Sequence, residues 1–91
     1  MIRRVVLTKQ AEKQLRKVPQ HVSDKLLAWV KSVEAKGLEE VRKLPGYHDE
    51  PLKGQRAGQR SIRLSKAYRA IYVIVNGGVE VSVEEVNKHE Y

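Results

Sequence analysis

Hydrophobic positions recur along the chain with more than one rhythm, and each rhythm predicts an element. Ile2 to Leu7 is β-branched and aliphatic apart from Arg3 and Arg4, which predicts a first strand. Thr8 follows as a plausible N-cap, since its hydroxyl can accept from a free backbone N–H of a first helical turn. Ala11, Leu15 and Val18 then recur at helical spacing, and Pro19 ends that short helix or opens the next. Val22, Leu26, Trp29, Val30 and Val33 form the clearest amphipathic stripe, with Gly37 as its natural stop. Leu38 to Leu44 fits a further helical turn. Pro45-Gly46 breaks the pattern, and a loop is expected from there to about Gly58.

Beyond the loop the period changes to two. Ile62 and Leu64 alternate with Ser61 and Arg63 in a strand over Arg60–Leu64. Ser65-Lys66-Ala67 is a turn, and Tyr68–Val75 is apolar on both faces, as a central strand would be. Asn76-Gly77-Gly78 signals a tight hairpin. Val79, Val81 and Val83 then alternate with Glu80, Ser82 and Glu84. The order β-α-α-β-β-β predicts an α+β domain spanning 1–91, a helical hairpin packed on one face of a twisted, mainly antiparallel sheet of about four strands. Trp29 and the Val/Leu stripe are core positions, as are Tyr68 and Tyr72, whereas His21 belongs to the surface. If Tyr68, Ala70, Tyr72 and Ile74 face the helices, Arg69, Ile71 and Val73 face the open side. With Ile62 and Leu64 in the core, Arg63 points to the open side as well. A one-residue slip in register would invert this arrangement.

Charge adds a direction. The 91 residues carry 18 Lys+Arg against 11 Asp+Glu, a formal charge of +7, which suits a polyanionic partner such as nucleic acid or ribosome. The excess is uneven. Lys53, Arg56, Arg60, Arg63, Lys66 and Arg69 fall in a stretch with no acid, a self-repelling block that an anion would neutralise. After Ala70 the sign reverses, with Lys88 facing Glu80, Glu84, Glu85 and Glu90. No apolar run is long enough to span a bilayer, and the start is too weakly apolar for a signal peptide, so a cytoplasmic protein without membrane contact is expected. The absence of cysteine excludes disulfides, thiolate metal sites and cysteine nucleophiles.

The inventory of reactive groups is short. His21, His48 and His89 lack metal-ligand spacing, and neither a phosphate-binding glycine loop nor a serine-nucleophile motif is present. What remains is Arg and Lys with isolated His, Glu and Tyr. That set suits cofactor- and metal-independent RNA cleavage, in which the ribose 2′-OH attacks its own phosphate. The reaction needs a base, an acid, and cations that stabilise the charged phosphorane, a task for which the arginine fork is well shaped.

Four segments carry a resemblance. Glu50-Pro51-Leu52-Lys53-Gly54, Arg60-Ser61-Ile62-Arg63-Leu64, Tyr68-Arg69-Ala70-Ile71-Tyr72 and Glu85-Val86-Asn87-Lys88-His89-Glu90-Tyr91 occur in that order after a helical hairpin. In this the chain resembles the RelE/ParE superfamily of type II toxins over essentially its whole length. It is most similar to the RelE, YoeB and HigB branches, which are mRNA interferases neutralised by an antitoxin.

The resemblance implies roles. Arg69 matches the arginine that contacts the scissile phosphate, and Arg63 falls near a catalytic Lys/Arg position, with the turn after it one residue shorter here. Glu50, just before Pro-Leu-Lys-Gly, stands where YoeB-like members carry a catalytic glutamate. His48 is the competing base. His89 matches the general acid, and Tyr91 the residue that stacks on or orients the nucleotide, with its own α-carboxylate beside the site. Lys53, Arg56, Arg60, Lys66 and His48 are expected to contact RNA or phosphate. No cofactor is implied. The implied partners are a cognate antitoxin with a locally acidic segment, mRNA in the ribosomal A site, rRNA, and operator DNA reached through the antitoxin. Two alternatives keep the fold: a ParE-like inhibitor of a topoisomerase, and a basic nucleic-acid-binding domain without chemistry. The terminal His89 and Tyr91 argue against the ParE-like alternative.

Overall fold

A computed structural model describes residues 1–88; His89, Glu90 and Tyr91 lie outside the described residues. The elements are β1 (Arg4–Leu7), α1 (Lys9–Leu15), α2 (Gln20–Lys36), α3 (Leu38–Val41), β2 (Glu50–Pro51), β3 (Arg60–Arg63), β4 (Tyr68–Val75) and β5 (Glu80–Lys88). Thr8 caps α1, its Oγ1 accepting from the Ala11 amide at 3.0 Å. The same hydroxyl donates to the Glu84 carbonyl at 3.1 Å, which ties the start of the helix to β5. Gly37 ends α2 at φ 91°, a conformation that glycine adopts without Cβ strain.

The sheet has the order β1-β5-β4-β3-β2. β1 runs parallel to β5 and the remaining neighbours are antiparallel. The α+β architecture follows the sequence pattern, but the sheet has five strands rather than about four. The added strand is Glu50–Pro51, inside the stretch read as loop. A two-residue strand has no periodicity to detect, and at a sheet edge proline's missing N–H costs no ladder bond.

One hydrophobic cluster joins the α2 stripe (Val22, Leu26, Trp29, Val33) to Leu38, Val41, Ile62, Leu64, Ala70, Tyr72, Val81, Val83 and Val86. The Trp29 and Tyr72 rings sit 5.3 Å apart, tilted by 44°. One expectation on β4 fails. Ile74 is 38% exposed, because β3 begins opposite Tyr72 and leaves only β5 beside Ile74. Ile71 lies on the face away from the helices, as its alternation predicts, and is fully buried there. The expected strand position Val79 is also out of the core, at 59% exposure, just before β5 begins.

A bulge sets the alternation of β5. Ile71 pairs with Glu85 and Tyr72 with Val83, so Glu84 is an extra residue. Val86 thereby joins the core, while Glu85 and Asn87 move to the face that carries Arg69. Without the extra residue that parity would be reversed.

Candidate functional site

Two rows of residues cross the face away from the helices. The register places Arg63 directly opposite Arg69, and Arg69 opposite Asn87. The second row runs Glu50, Ser61, Ile71, Glu85. A cavity of about 150 Å³ opens on the β2 side of this face, with Glu50, His48, Arg63 and Arg69 in its walls, Ser61 among them and Lys66 at the β3–β4 turn. Ser65 builds that turn, its Oγ accepting from the amides of Ala67 (3.2 Å) and Tyr68 (3.1 Å).

Like charges directly opposite each other on adjacent strands repel. Among the described residues neither Arg63 nor Arg69 has an acidic side chain in ion-pair range. The Nε of Arg69 is buried and finds no acceptor among the described residues. Buried donors are rarely left this way. The arrangement has the chemistry to receive an anion, with a carboxylate and an imidazole in the same wall.

The neighbouring residues Asp49, Arg60 and Tyr72 explain how Glu50 and His48 reach it. The Asp49 side chain is fully buried; its Oδ1 accepts from Arg60 Nε at 2.6 Å and its Oδ2 from the Tyr72 hydroxyl at 2.5 Å. This pins one residue of the segment on the core side, while His48 and Glu50 on either side of it line the cavity. His48 adopts a left-handed conformation, φ 45°, at the end of the short turn Pro45–Tyr47. Burial opposes the charge of Arg60, but the bond to Asp49 outweighs it and holds the guanidinium above its ordinary value.

Arg60 is therefore a correction to the sequence reading. It does not face the cavity with Arg63 and Arg69 but is held by Asp49 on the other side of the sheet, as the alternation of β3 requires. Arg56 is likewise engaged, donating to both carboxylate oxygens of Glu85 at 3.0 and 3.2 Å. The acid-free block is thus partly neutralised by acids distant in sequence. Lys53 is exposed and is not among the residues of the cavity wall. The expected acid His89 and stacking residue Tyr91 lie outside the described residues. Asp49, Ser61 and Asn87 went unnoticed in the sequence, because their placement depends on pairing register rather than on any local motif.

Burial, reinforced by Asp49, pushes the Tyr72 phenol well above the ordinary tyrosine range. A raised folded-state value favours the protonated form, so its contribution is complete below about pH 10 and is lost as pH rises toward the raised value. Tyr72→Phe should destabilise the protein by about 1.5–3 kcal/mol in denaturant titrations at neutral pH. It should also flatten the loss of stability above about pH 10 relative to wild type. An unchanged alkaline limb would remove Tyr72 as its source.

The fold and the site define a small α+β protein with an arginine-lined cleft on the sheet face away from its helices. No protein-family model matches the chain, and no curated protein matches it significantly. Solved structures do. A chain of the toxin–antitoxin complex RelBE2 from Mycobacterium tuberculosis is 27% identical, with TM-score 0.61, covering 94% of this chain and 96% of that chain. YafQ from E. coli superposes with TM-score 0.74 at 16% identity, covering 93% and 91%. The archaeal RelE–RelB complex from Pyrococcus horikoshii gives 0.70 at 21%, covering 97% and 96%. The chain thus shares the fold of RelE/ParE-type toxins.

Proposed function

We propose that this protein is the toxin of a type II toxin–antitoxin system and acts as a metal-independent endoribonuclease on mRNA in the ribosomal A site. The observation that carries this reading is the Arg63–Arg69 cross-strand pair, unpaired among the described residues, in one cavity with Glu50 and His48. The scissile phosphate sits against the two guanidiniums. The ribose 2′-OH attacks its phosphorus as Glu50 or His48 takes the hydroxyl proton. Negative charge develops on the non-bridging oxygens, where Arg63 and Arg69 stabilise it more than in the ground state. The bond to the 5′ oxygen breaks as His89 supplies a proton, leaving a 2′,3′-cyclic phosphate and a 5′-hydroxyl. Tyr91 stacks on the nucleotide, and Lys53 and Lys66 attract the backbone.

The site has few activating groups, so the ribosome supplies much of the positioning, and free RNA is a poor substrate. The remaining basic surface docks on rRNA. The two RelB–RelE-type complexes among the similar structures support a cognate antitoxin as partner. Purified protein added to translating ribosomes should cut mRNA to the stated ends, and the same mRNA without ribosomes should remain largely intact. Glu50→Gln and His48→Gln should differ, the variant that lacks the base losing about 10²–10⁴-fold in rate. No cuts by folded protein, together with inhibition of a topoisomerase, would replace this reading with the ParE-like one.

A further inference from the structure

Arg69 belongs to two cavities. Beside the one described, a second of about 330 Å³ lies along β4 and β5, lined by Arg56, Arg69, Asn87 and Lys88. Three of these four side chains are cationic and none is acidic. The nearby acid, Glu85, is already engaged: Arg56 donates to both its oxygens, and Asn87 Nδ2 donates to Oε1 at 2.9 Å. That fixes the Asn87 amide, because only its nitrogen can donate to a carboxylate. Its Oδ1 is left buried and unpartnered among the described residues, as is Arg69 Nε. Arg56 keeps 43% of its side chain exposed while holding Glu85, and Lys88 is exposed with no acid in ion-pair range among the described residues.

From these observations we propose that this second cavity is a phosphate subsite for the linkage next to the scissile one, with Lys88 and Arg56 as its cations and Arg69 shared by both phosphates. The proposal rests on the endoribonuclease reading and names the substrate that site takes: a single RNA strand engaged at two consecutive phosphates. Neighbouring strands lie about 4.8 Å apart. One cavity is centred on β2 to β4 and the other on β4 and β5, one to two strand spacings away, or about 5–10 Å. Consecutive phosphates of one strand fit that separation. Asn87 Oδ1 is an acceptor and faces a neutral donor such as a sugar hydroxyl. The β5 bulge is a precondition, since it brings Asn87 to this face.

The test uses a 2′-O-methyl trinucleotide, which resists cleavage, and two versions with one or the other phosphate replaced by a neutral methylphosphonate. Binding to the full-length protein is followed by NMR, including the Arg69 Nε–H signal. Wild type should lose about five- to tenfold in affinity for either replacement. Lys88→Ala should be insensitive to one replacement and Arg63→Ala to the other. The slope of log K against log salt should become shallower by about 0.7 in Lys88→Ala. If Lys88→Ala weakens all three probes by the same factor, or none of them, the second subsite is overturned while the first stands. If Arg63→Ala and Arg69→Ala leave every probe unaffected, the endoribonuclease reading itself fails. Lys88 is exposed, so its replacement does not threaten folding.

Discussion

Arg69→Ala will lower the rate of mRNA cleavage on the ribosome by about 10²–10³-fold, the loss that follows removal of one preorganised group facing developing negative charge. Its melting temperature will stay close to that of wild type. The two halves of this expectation have separate origins. Arg69 has no acid to hold it among the described residues and stands opposite another arginine, so its removal relieves a repulsion rather than breaking an ion pair. In the proposed reaction the phosphate gains charge in the transition state, and the variant withdraws one of the two guanidiniums facing it. Arg69→Lys should recover only part of the rate, because an ammonium supplies a point charge without the two-pronged geometry. Single-turnover cleavage with mapped RNA ends, alongside a thermal melt of the same sample, checks both halves. A wild-type rate in the alanine variant would remove Arg69 from the reaction.

Asp49→Ala should have the largest effect on stability. It strips the partner from Arg60 and from the buried Tyr72 hydroxyl in one step. Breaking a buried charge pair on one side costs about 3–5 kcal/mol. Arg60 retains 22% exposure, so water meets part of the lost demand and the low end, about 3 kcal/mol, is expected. For a domain of this size that corresponds to a melting temperature lower by roughly 10–20 °C. Cleavage by the fraction that remains folded should fall too, because the segment holding His48 and Glu50 is no longer pinned between them. Asp49→Asn keeps an acceptor for Arg60 but offers only a donor at the other position, and should lie between wild type and alanine. A melt of Asp49→Ala within a degree or two of wild type would show that Arg60 and Tyr72 find other partners.

The contrast between Arg69 and Arg60 also shows where the sequence is legible. Alternation over Arg60–Leu64 and Tyr68–Val75 suffices to put Arg63 and Arg69 on one face, and the structure pairs them directly. The same alternation, carried back to Arg60, points that residue toward the core. Reading charge as one block overrode the period of the strand. The long helix was legible because Val22, Leu26, Trp29 and Val33 form a continuous apolar stripe. The β2 strand was not, since two residues have no period. Nor was the β5 bulge, whose extra residue leaves no composition signal yet decides which face Asn87 occupies. Asp49 falls in the stretch expected to be loop, with no local motif to mark it; only the folded neighbours Arg60 and Tyr72 give it a task.

The position of β5 has a consequence for how such a chain comes into being. β5 lies between β1 and β4, and among the described residues β1 pairs with no other strand. A nascent chain that has not yet exposed Glu80–Lys88 cannot join its first strand to the rest of the sheet. The contacts that unite them span most of the sequence and are slow to form by closure of a long loop. Until then the β3–β4 hairpin that pairs Arg63 with Arg69 lacks the core residues Val81, Val83 and Val86 that pack behind it. The rigidity of the paired arginines is therefore acquired late, when β5 docks between β1 and β4.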